Sequence, residues 1–164
     1  MEQLVRAARR GDAAAMDALV RELMPYVGRV CGAIALDRGD DAMQETFIAV
    51  LRNLGSLREP AALHGWVRRI AVRESIRVAR GGREDPVDPA TLVSNTVAPV
   101  DVATVVDVRT ILAGLAPEQR AILVLRDVDG LSETEAAGLL GVAEGTVKSR
   151  LHRARSAFIR RWEP

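Results

Sequence analysis

The sequence is poor in the residues on which most enzymes and metal proteins depend. Its 164 residues include one cysteine, Cys31, and two histidines, His64 and His152, and these three have no spacing typical of a metal site. A single cysteine excludes an internal disulfide bond. A recognisable nucleophile–base pair and a glycine-rich phosphate loop are also lacking. We therefore expect a protein that is not an enzyme and that uses no metal or other cofactor.

Long apolar runs are missing as well. No segment approaches the roughly 18 apolar residues that a membrane span needs. The start, Met1 to Gly11, lacks the apolar centre of a signal peptide. We expect a cytoplasmic protein without a membrane span, and no further domain after Arg161. Aromatic residues make up 3% of the chain but hydrophobic residues 48%, which is enough for an aliphatic core.

Lysine is almost absent from the basic residues. All but one of the 23 are arginine, and Lys148 is the exception. A codon bias of the genome would explain this, although arginine also contacts phosphates with better geometry than lysine. Because the net charge is only +1, any attraction to nucleic acid has to come from local basic patches.

The hydrophobic spacing is helical in nearly the whole chain, without convincing strand alternation. In the N-terminal half it predicts four helices, of which Gly11 ends the first and Asp12 caps the second, which continues past Pro25. The expected ranges are Glu2 to Arg9, Asp12 to Leu36, Asp40 to Leu54 and Ala61 to Arg80. The expected core stripe of the third is Met43, Phe47, Val50, Leu51 and Leu54.

The pattern changes between Gly81 and Pro99, where glycines, prolines and a Ser-Asn-Thr stretch show no sustained period. That composition predicts an extended linker. Helical spacing returns from Asp101, and Pro117 falls in the first turn of a helix, where proline is tolerated. The predicted fold is all-α, with two small helical domains, residues 1–80 and 102–164, joined by a linker, residues 81–101.

The C-terminal half contains the most specific local signal. Ser132 and Glu135 form a capping box that opens a short helix, and Gly141 permits the left-handed turn that ends it. A second helix is expected from about Glu144 to Arg161. Two helices joined by a tight glycine turn are typical of a helix-turn-helix, whose second helix enters the major groove of DNA.

The second helix has an apolar face and a basic face. Its expected buried stripe is Val147, Leu151, Ala154 and Phe158. The opposite face has Thr146, Lys148, Ser149, Arg150, His152 and Arg153. From Glu144 to Arg161 there are six basic residues and one acidic residue, a net charge of +5. The alternative to a DNA-reading helix is a solvated amphipathic hairpin, whose charges only keep it soluble.

Two stretches of this half, Leu115 to Ser132 and Gly145 to Arg155, closely resemble region 4 of sigma-70 family factors. The resemblance is to the extracytoplasmic-function (ECF) class, which keeps only regions 2 and 4. In the N-terminal half, the segment Asp41 to Phe47 resembles the part of region 2 that docks on RNA polymerase. The segment Trp66 to Val72 resembles the helix that reads and opens the −10 element. The motifs occur in the family's order, so the resemblance covers nearly the whole chain.

The resemblance implies a bacterial sigma factor, which binds core RNA polymerase and directs transcription initiation at specific promoters. Such a factor reads the −35 and −10 elements and helps to open the −10 region. The implied partners are core RNA polymerase, through the clamp of its largest subunits and its flap, together with promoter DNA and an anti-sigma factor.

The resemblance also implies three sets of site residues. Core polymerase binding is expected at Asp41, Gln44, Glu45, Ile48 and Arg52. Binding of −10 DNA is expected at Leu57, Arg58, His64, Arg69, Arg73, Arg77 and Arg80, whose last four arginines form a basic stripe at helical spacing. Binding of −35 DNA is expected at Glu144, Thr146, Lys148, Ser149, Arg150, His152 and Arg153.

The residues leave several alternatives open. Asp41 would also serve as a helix cap, and Glu45 as a solvated surface charge. Trp66 fits core packing better than a wedge between bases. The acidic segment Arg83 to Thr104 fits a solvated tether as well as a stretch that imitates RNA in the polymerase cleft. A response-regulator output domain has a similar second helix, but its partner would be an α/β receiver, for which this sequence lacks the strands.

Overall fold

The computed structural model describes residues 1–81 and 102–162. In the second range, side chains are described from residue 108 onward. These residues form eight α-helices with short turns and contain no strand, which confirms the all-α prediction. The N-terminal half has α1 (Glu2–Arg9), α2 (Ala13–Ala35), α3 (Gly39–Asn53) and α4 (Leu63–Gly81). The C-terminal half has α5 (Val102–Ala113), α6 (Pro117–Leu123), α7 (Glu133–Leu140) and α8 (Glu144–Trp162).

Local signals set the ends of the first helices. The Asp12 side chain accepts a hydrogen bond from the Ala15 backbone N–H at 3.0 Å and caps α2, as predicted. Gly11 has a φ of 89°, which a residue with a Cβ rarely adopts. The helix α2 passes through Pro25 and ends at Ala35, where Leu36, with a φ of 53°, turns the chain towards α3.

Helices α1 to α4 pack around an aliphatic core. Its largest fully buried side chains include Leu19, Leu23, Ile34, Leu54 and Leu63. Cys31 is also fully buried, and burial raises the pKa of its thiol, so it behaves as a small apolar core residue. Trp66 is partly buried against the same core, in agreement with the core-packing alternative.

The prediction that Leu51 belongs to the core stripe of α3 is wrong. Leu51 is 40% exposed, whereas Val50 and Leu54 are buried. On a helix, Leu51 follows Gln44 by seven positions and Ile48 by three, so it lies on their side and not on the core side. Leu51 therefore adds an apolar side chain to the face that was expected to bind polymerase.

In the C-terminal half, α5 packs on α8 and is followed by α6. Pro117 is the first residue of this helix, as predicted, and fixes a backbone angle suited to a helix start. After Leu123 the chain widens into one π-helical turn, Val124–Val128, which the sequence pattern did not reveal. Such turns are rare and frequently occur at functional sites. The π turn contains Asp127, which pairs with Arg155 of α8. It is followed by Asp129, which contacts side chains of the N-terminal half.

The two halves are packed against each other. Helix α6 lies against α2 and α4, and α7 lies against α4. Buried residues of both halves join in one cluster, in which Leu125 and Leu131 meet the core that contains Leu19 and Val27. The predicted domain limits stay predictions, and the predicted linker falls outside the described residues except for Gly81. None of the described helices combines the length and the hydropathy that crossing a bilayer requires.

Candidate nucleic-acid interface

The helix-turn-helix is held by its own backbone and caps. The Glu135 N–H donates to Ser132 Oγ at 3.2 Å, and the Ser132 N–H donates to Glu135 Oε2 at 2.7 Å, which is a complete capping box. Gly141 adopts the left-handed conformation, with a φ of 66°. The Val142 N–H then donates to the Ala137 carbonyl at 3.2 Å and closes the turn. The predicted motif is therefore confirmed in its geometry.

Helix α8 begins at the residue that follows Ala143. The Ala143 carbonyl accepts hydrogen bonds from the N–H groups of Thr146, at 2.9 Å, and Val147, at 3.1 Å, so Ala143 is the N-cap residue. Its methyl side chain cannot accept a bond from the free N–H groups of this first turn. The start of the candidate recognition helix consequently lacks a side-chain cap from Ala143.

The faces of α8 are nearly those that the sequence predicts. Val147, Leu151 and Ala154 are buried, while Phe158 is only partly buried and stacks on Trp162, with ring centroids 6.1 Å apart. Most residues of the expected −35 set are exposed: Glu144, Lys148, Ser149, His152 and Arg153. The other two, Thr146 and Arg150, are partly buried. The structure thus places this set on the part of the α8 surface that the buried stripe leaves open.

Among the described residues, three cations on that face have no ion-pair partner: Lys148, Arg150 and Arg153. In contrast, the Arg155 guanidinium forms a two-point ion pair with the Asp127 carboxylate of the π turn, and this raises the pKa of Arg155. Arg161 donates to the Gly114 carbonyl at 3.3 Å. The free charges are therefore concentrated on the first two-thirds of α8, where base contacts are made in this motif.

The basic stripe of α4 is exposed but largely paired. Arg77 Nε lies 2.7 Å from Glu74, and Arg77 also reaches Glu45 of α3 at 2.8 Å. Arg73 lies 3.0 Å from Glu74, and Arg80 forms an ion pair with Glu118 of α6. Arg69 has no ion-pair partner among the described residues. The stripe is present as predicted, yet most of its charge is neutralised in this conformation.

Glu74 is the buried centre of this arrangement. Its side chain is 10% exposed. Burial acts to raise the pKa of Glu74, but the two guanidiniums of Arg77 and Arg73 outweigh it and hold that pKa below its ordinary value. Glu74 therefore stays ionised and fixes the orientation of two arginines of the stripe.

The remaining expected −10 residues are distributed between surface and core. Arg58 and His64 are exposed, whereas Leu57 is 4% exposed and packs in the core cluster. The 3₁₀ turn Pro60–Ala62 separates the two exposed residues and leads into α4. Leu57 thus supports the loop from beneath and does not present its side chain to solvent.

The expected polymerase face lies on α3. Asp41, Gln44, Glu45 and Arg52 are exposed and Ile48 is partly buried. Gln44 and Glu45 border an open cleft of about 460 Å³ between α3 and α4. Asp41 forms an ion pair with Arg38 at 3.1 Å and makes no side-chain capping bond at the start of α3. The cap alternative for Asp41 is thus not what the geometry favours.

Four side chains that sequence reasoning missed lie between the halves. Tyr26, Arg29 and Arg68 of the N-terminal half contact Asp129 of the C-terminal half. Arg68 stands next to Arg69 in the sequence, but the pattern gives no sign that Arg68 meets Asp129 while Arg69 has no ion-pair partner among the described residues. Asp129 lies 100 residues from Arg29 and 103 residues from Tyr26 in the sequence. Local sequence patterns cannot predict contacts over such separations.

Family models match both halves of the chain. A model described as Sigma-70 region 2 matches residues 19–84, and one described as Sigma-70, region 4 matches residues 106–158. The two matches follow each other in the order of the two helical halves.

Curated proteins match almost the full chain. The ECF RNA polymerase sigma factor SigM of Mycobacterium tuberculosis is 35% identical over 163 residues, which cover 96% of this chain and 82% of SigM. The RNA polymerase sigma-H factor of Pseudomonas aeruginosa is 30% identical over 184 aligned positions, which cover 99% of this chain and 94% of that factor.

Solved structures share the fold. CnrH in complex with the cytosolic domain of CnrY has a TM-score of 0.65 and 23% identity, over 96% of this chain and 93% of CnrH. The sigma factor RpoE of Bartonella quintana, in complex with the anti-sigma factor NepR, has a TM-score of 0.65 and 20% identity, over 90% of this chain and 96% of RpoE.

Proposed function

The chain belongs to the ECF class of sigma-70 family RNA polymerase sigma factors, and on that premise we propose that it directs core RNA polymerase to promoters with −35 and −10 elements. It does so by binding and positioning, with no catalytic step of its own. Its partners are core polymerase, promoter DNA and an anti-sigma factor, and its place of action is the cytoplasm, where core polymerase works.

The observation that carries this proposal is the exposed basic face of α8. Lys148, Arg150 and Arg153 are unpaired among the described residues, and they project from the second helix of a helix-turn-helix. Arginine and lysine on such a helix can contact guanine in the major groove. We assign the −35 element to this face, together with its neighbours Glu144, Thr146, Ser149 and His152.

The N-terminal half supplies the other two assignments. We propose that the α3 face with Asp41, Gln44, Glu45, Ile48 and Arg52 docks on the polymerase clamp, and that the exposed Leu51 adds to this contact. Such a mixture of exposed polar residues around an apolar side chain suits a protein–protein interface. The loop before α4 and the arginine stripe of α4 are assigned to the −10 strand, whose phosphates a basic groove would follow.

The test is transcription with purified components. Core polymerase alone and core polymerase with this protein would be incubated with fragmented genomic DNA of the encoding organism, and RNA 5′ ends would be sequenced. We expect starts that share upstream −35 and −10 sequences only when the protein is present. A triple variant, K148A/R150A/R153A, should lose these starts while keeping its helicity by circular dichroism. Identical starts with and without the protein would refute the proposed function.

A further inference from the structure

Glu74 is the single acidic residue of α4, and it lies within the arginine stripe of that helix. Its side chain is 10% exposed, whereas those of Arg73 and Arg77 are 67% and 57% exposed. Glu74 Oε1 accepts a hydrogen bond from Arg73 Nε at 3.1 Å, and Oε2 accepts one from Arg77 Nε at 2.7 Å. Each oxygen of this buried carboxylate therefore holds a different guanidinium.

The contact with Arg73 is not one that helical geometry provides by itself. Residues three or four apart share a helix face, whereas adjacent residues point about 100° apart. Arg77 follows Glu74 by three positions and is a natural partner, but Arg73 has to turn along the helix surface to reach the same carboxylate. Arg73 Nη2 also lies 3.0 Å from Glu74 Oε1, so two nitrogens hold this turn. The position of the Arg73 guanidinium thus depends on Glu74.

Arg77 connects Glu74 to the neighbouring helix α3. Its Nη2 donates to Glu45 Oε2 at 2.8 Å, while its Nε donates to Glu74. Because two carboxylates share the Arg77 guanidinium, little of its charge is left for DNA. Arg73, in contrast, has Glu74 as its one ion-pair partner among the described residues. We call Glu45, Arg73, Glu74 and Arg77 the Glu74 network.

Stability alone does not account for a carboxylate at this position. Burial of a charge costs free energy that its partners have to offset, and an apolar side chain of similar volume is often neutral or stabilising in its place. If the carboxylate were lost, both guanidiniums would remain solvated, because each side chain is more than half exposed. What Glu74 adds is a fixed direction for the Arg73 guanidinium.

Arg69 and Arg73 are the cations of the stripe that are best placed to meet a nucleic acid. Arg69 lies one helical turn before Arg73, is exposed and has no ion-pair partner among the described residues. Glu74 engages Nε and Nη2 of Arg73, which leaves Nη1 without a partner among those residues. An oriented guanidinium with free N–H groups, next to a second cation, suits the phosphates of a DNA strand.

We propose that Glu74 is a positioning residue for the −10 strand, which directs the Arg73 guanidinium at the DNA backbone beside Arg69. This role deepens the proposed function and rests on it, whereas the orientation of Arg73 by Glu74 does not. A guanidinium that is already fixed loses less side-chain entropy when it binds a phosphate. Glu74 therefore strengthens DNA binding through Arg73, although its own negative charge opposes such binding.

NMR of the arginine Nε–H groups in the free full-length protein tests the orientation. The Nε–H groups of Arg73 and Arg77 should exchange with water more slowly than that of Arg69, because only the first two are hydrogen-bonded. E74M keeps the length of the side chain without an acceptor and should remove this protection at both positions. The matched control is E22M, which makes the same change at an exposed glutamate of α2 and should leave both signals unaltered. Equal exchange at Arg69 and Arg73 in the unsubstituted protein would overturn the orientation.

Binding of DNA by the polymerase–sigma complex tests the positioning role. The probe is a DNA duplex with a fluorescein-labelled single-stranded extension that carries the −10 sequence shared by the mapped transcription starts. E74M should bind this probe about fivefold or more weakly than E22M, although the loss of a negative charge by itself would tighten binding. R73A should cause a similar loss. In the R73A background E74M should have no further effect, because Glu74 acts through Arg73. E74D keeps a carboxylate on a shorter side chain and should recover a part of the affinity.

The sign of the change separates positioning from simple electrostatics. Tighter or unchanged binding by E74M, or the same loss with and without Arg73, would overturn the positioning role. A weaker binding that follows a lower melting temperature by circular dichroism, and that persists in the R73A background, would assign Glu74 to folding instead. These outcomes leave promoter-directed starts of the unsubstituted protein intact. The absence of such starts would refute the proposed function and this role with it, so the two failures are distinguishable.

Discussion

Single arginines of α8 differ in what they can do, although their sequence context is similar. Arg155 is bound to Asp127 and Arg161 to the Gly114 carbonyl, whereas Arg153 and Arg160 are exposed without an ion-pair partner among the described residues. A guanidinium that is already paired must give up that partner before it contacts DNA. The residues that read bases should therefore be sought among the unpaired cations nearer the start of the helix.

The first prediction separates base reading from phosphate contact. At least one of K148A, R150A and R153A should change base preference at the −35 element, because a bidentate contact to guanine contributes about 1–3 kcal/mol of discrimination. R160A should weaken all sequences about equally and lower the salt slope of binding by roughly one unit, since a phosphate contact carries no sequence information.

The measurement is binding of the polymerase–sigma complex to a panel of single-base −35 variants at several salt concentrations. R155A is the control for a paired arginine and should leave base preference unchanged. Uniform losses for all three alanine variants across the panel would mean that α8 is a phosphate clamp and that sequence is read elsewhere.

The second prediction concerns the α3 face. E45R, and separately Q44W, should weaken binding to core polymerase about tenfold or more, as expected for residues near the centre of an interface. E22R is a matched control, because Glu22 is an exposed glutamate on α2 away from this face. Surface plasmon resonance with immobilised core polymerase gives the affinities. Affinities equal to that of E22R for both variants would remove α3 from the interface.

At the scale of whole helices, the residues that typically begin or end a helix predicted the helix limits well. Asp12, Pro117, Ser132 and Gly141 each stand where the structure begins or ends an element. These signals act within about four residues, so a sequence displays them directly. Burial is less local: Leu51 fits the apolar period of α3 yet faces solvent, because its exposure depends on where the neighbouring helices lie.

The sequence also predicted which candidate site residues share a helix face, since that follows from helical geometry alone. It did not predict that Arg77 and Arg80 would be paired with Glu45 and Glu118. These pairs join different helices, and they depend on tertiary packing that no local pattern encodes. The positions of the site residues were thus predictable, whereas their electrostatic state was not.

The third prediction uses the uncapped start of α8. A143S should raise the free energy of unfolding by about 0.5–2 kcal/mol, because a serine hydroxyl at the N-cap position accepts a bond from a free N–H group of the first turn. S132A should lower it by a similar amount, since it removes the existing cap of α7. Urea unfolding of the full chain, followed by circular dichroism, measures both. Equal midpoints for A143S and the unsubstituted protein would mean that the start of α8 is satisfied by another group.

For the whole molecule, the two halves combine separate local folds with a shared contact. Each half carries its own buried residues, such as Val30 in one and Leu151 in the other, while Leu125 joins both in one cluster. A chain built in this way can be cut between the halves without loss of either fold, provided that each half retains enough core. It can also keep the halves together after the cut. The contacts of Asp129 with Tyr26, Arg29 and Arg68, and the hydrogen bond from Arg120 to the Ile34 carbonyl, do not depend on the connecting peptide.

The fourth prediction follows from this distinction. Limited proteolysis of the free protein should cut between Gly81 and Pro99 and leave two helical fragments of roughly 80 and 60 residues, a size at which small domains are stable but marginal. Gel filtration without denaturant should then elute the two fragments of the unsubstituted protein together. After the same cut in D129R they should elute separately, because the charge repulsion removes the polar contact and no peptide links the halves. Cleavage at many sites within α2 or α8 would contradict two stable halves, and co-elution of the D129R fragments would assign their association to the apolar contacts around Leu125 and Leu131 instead.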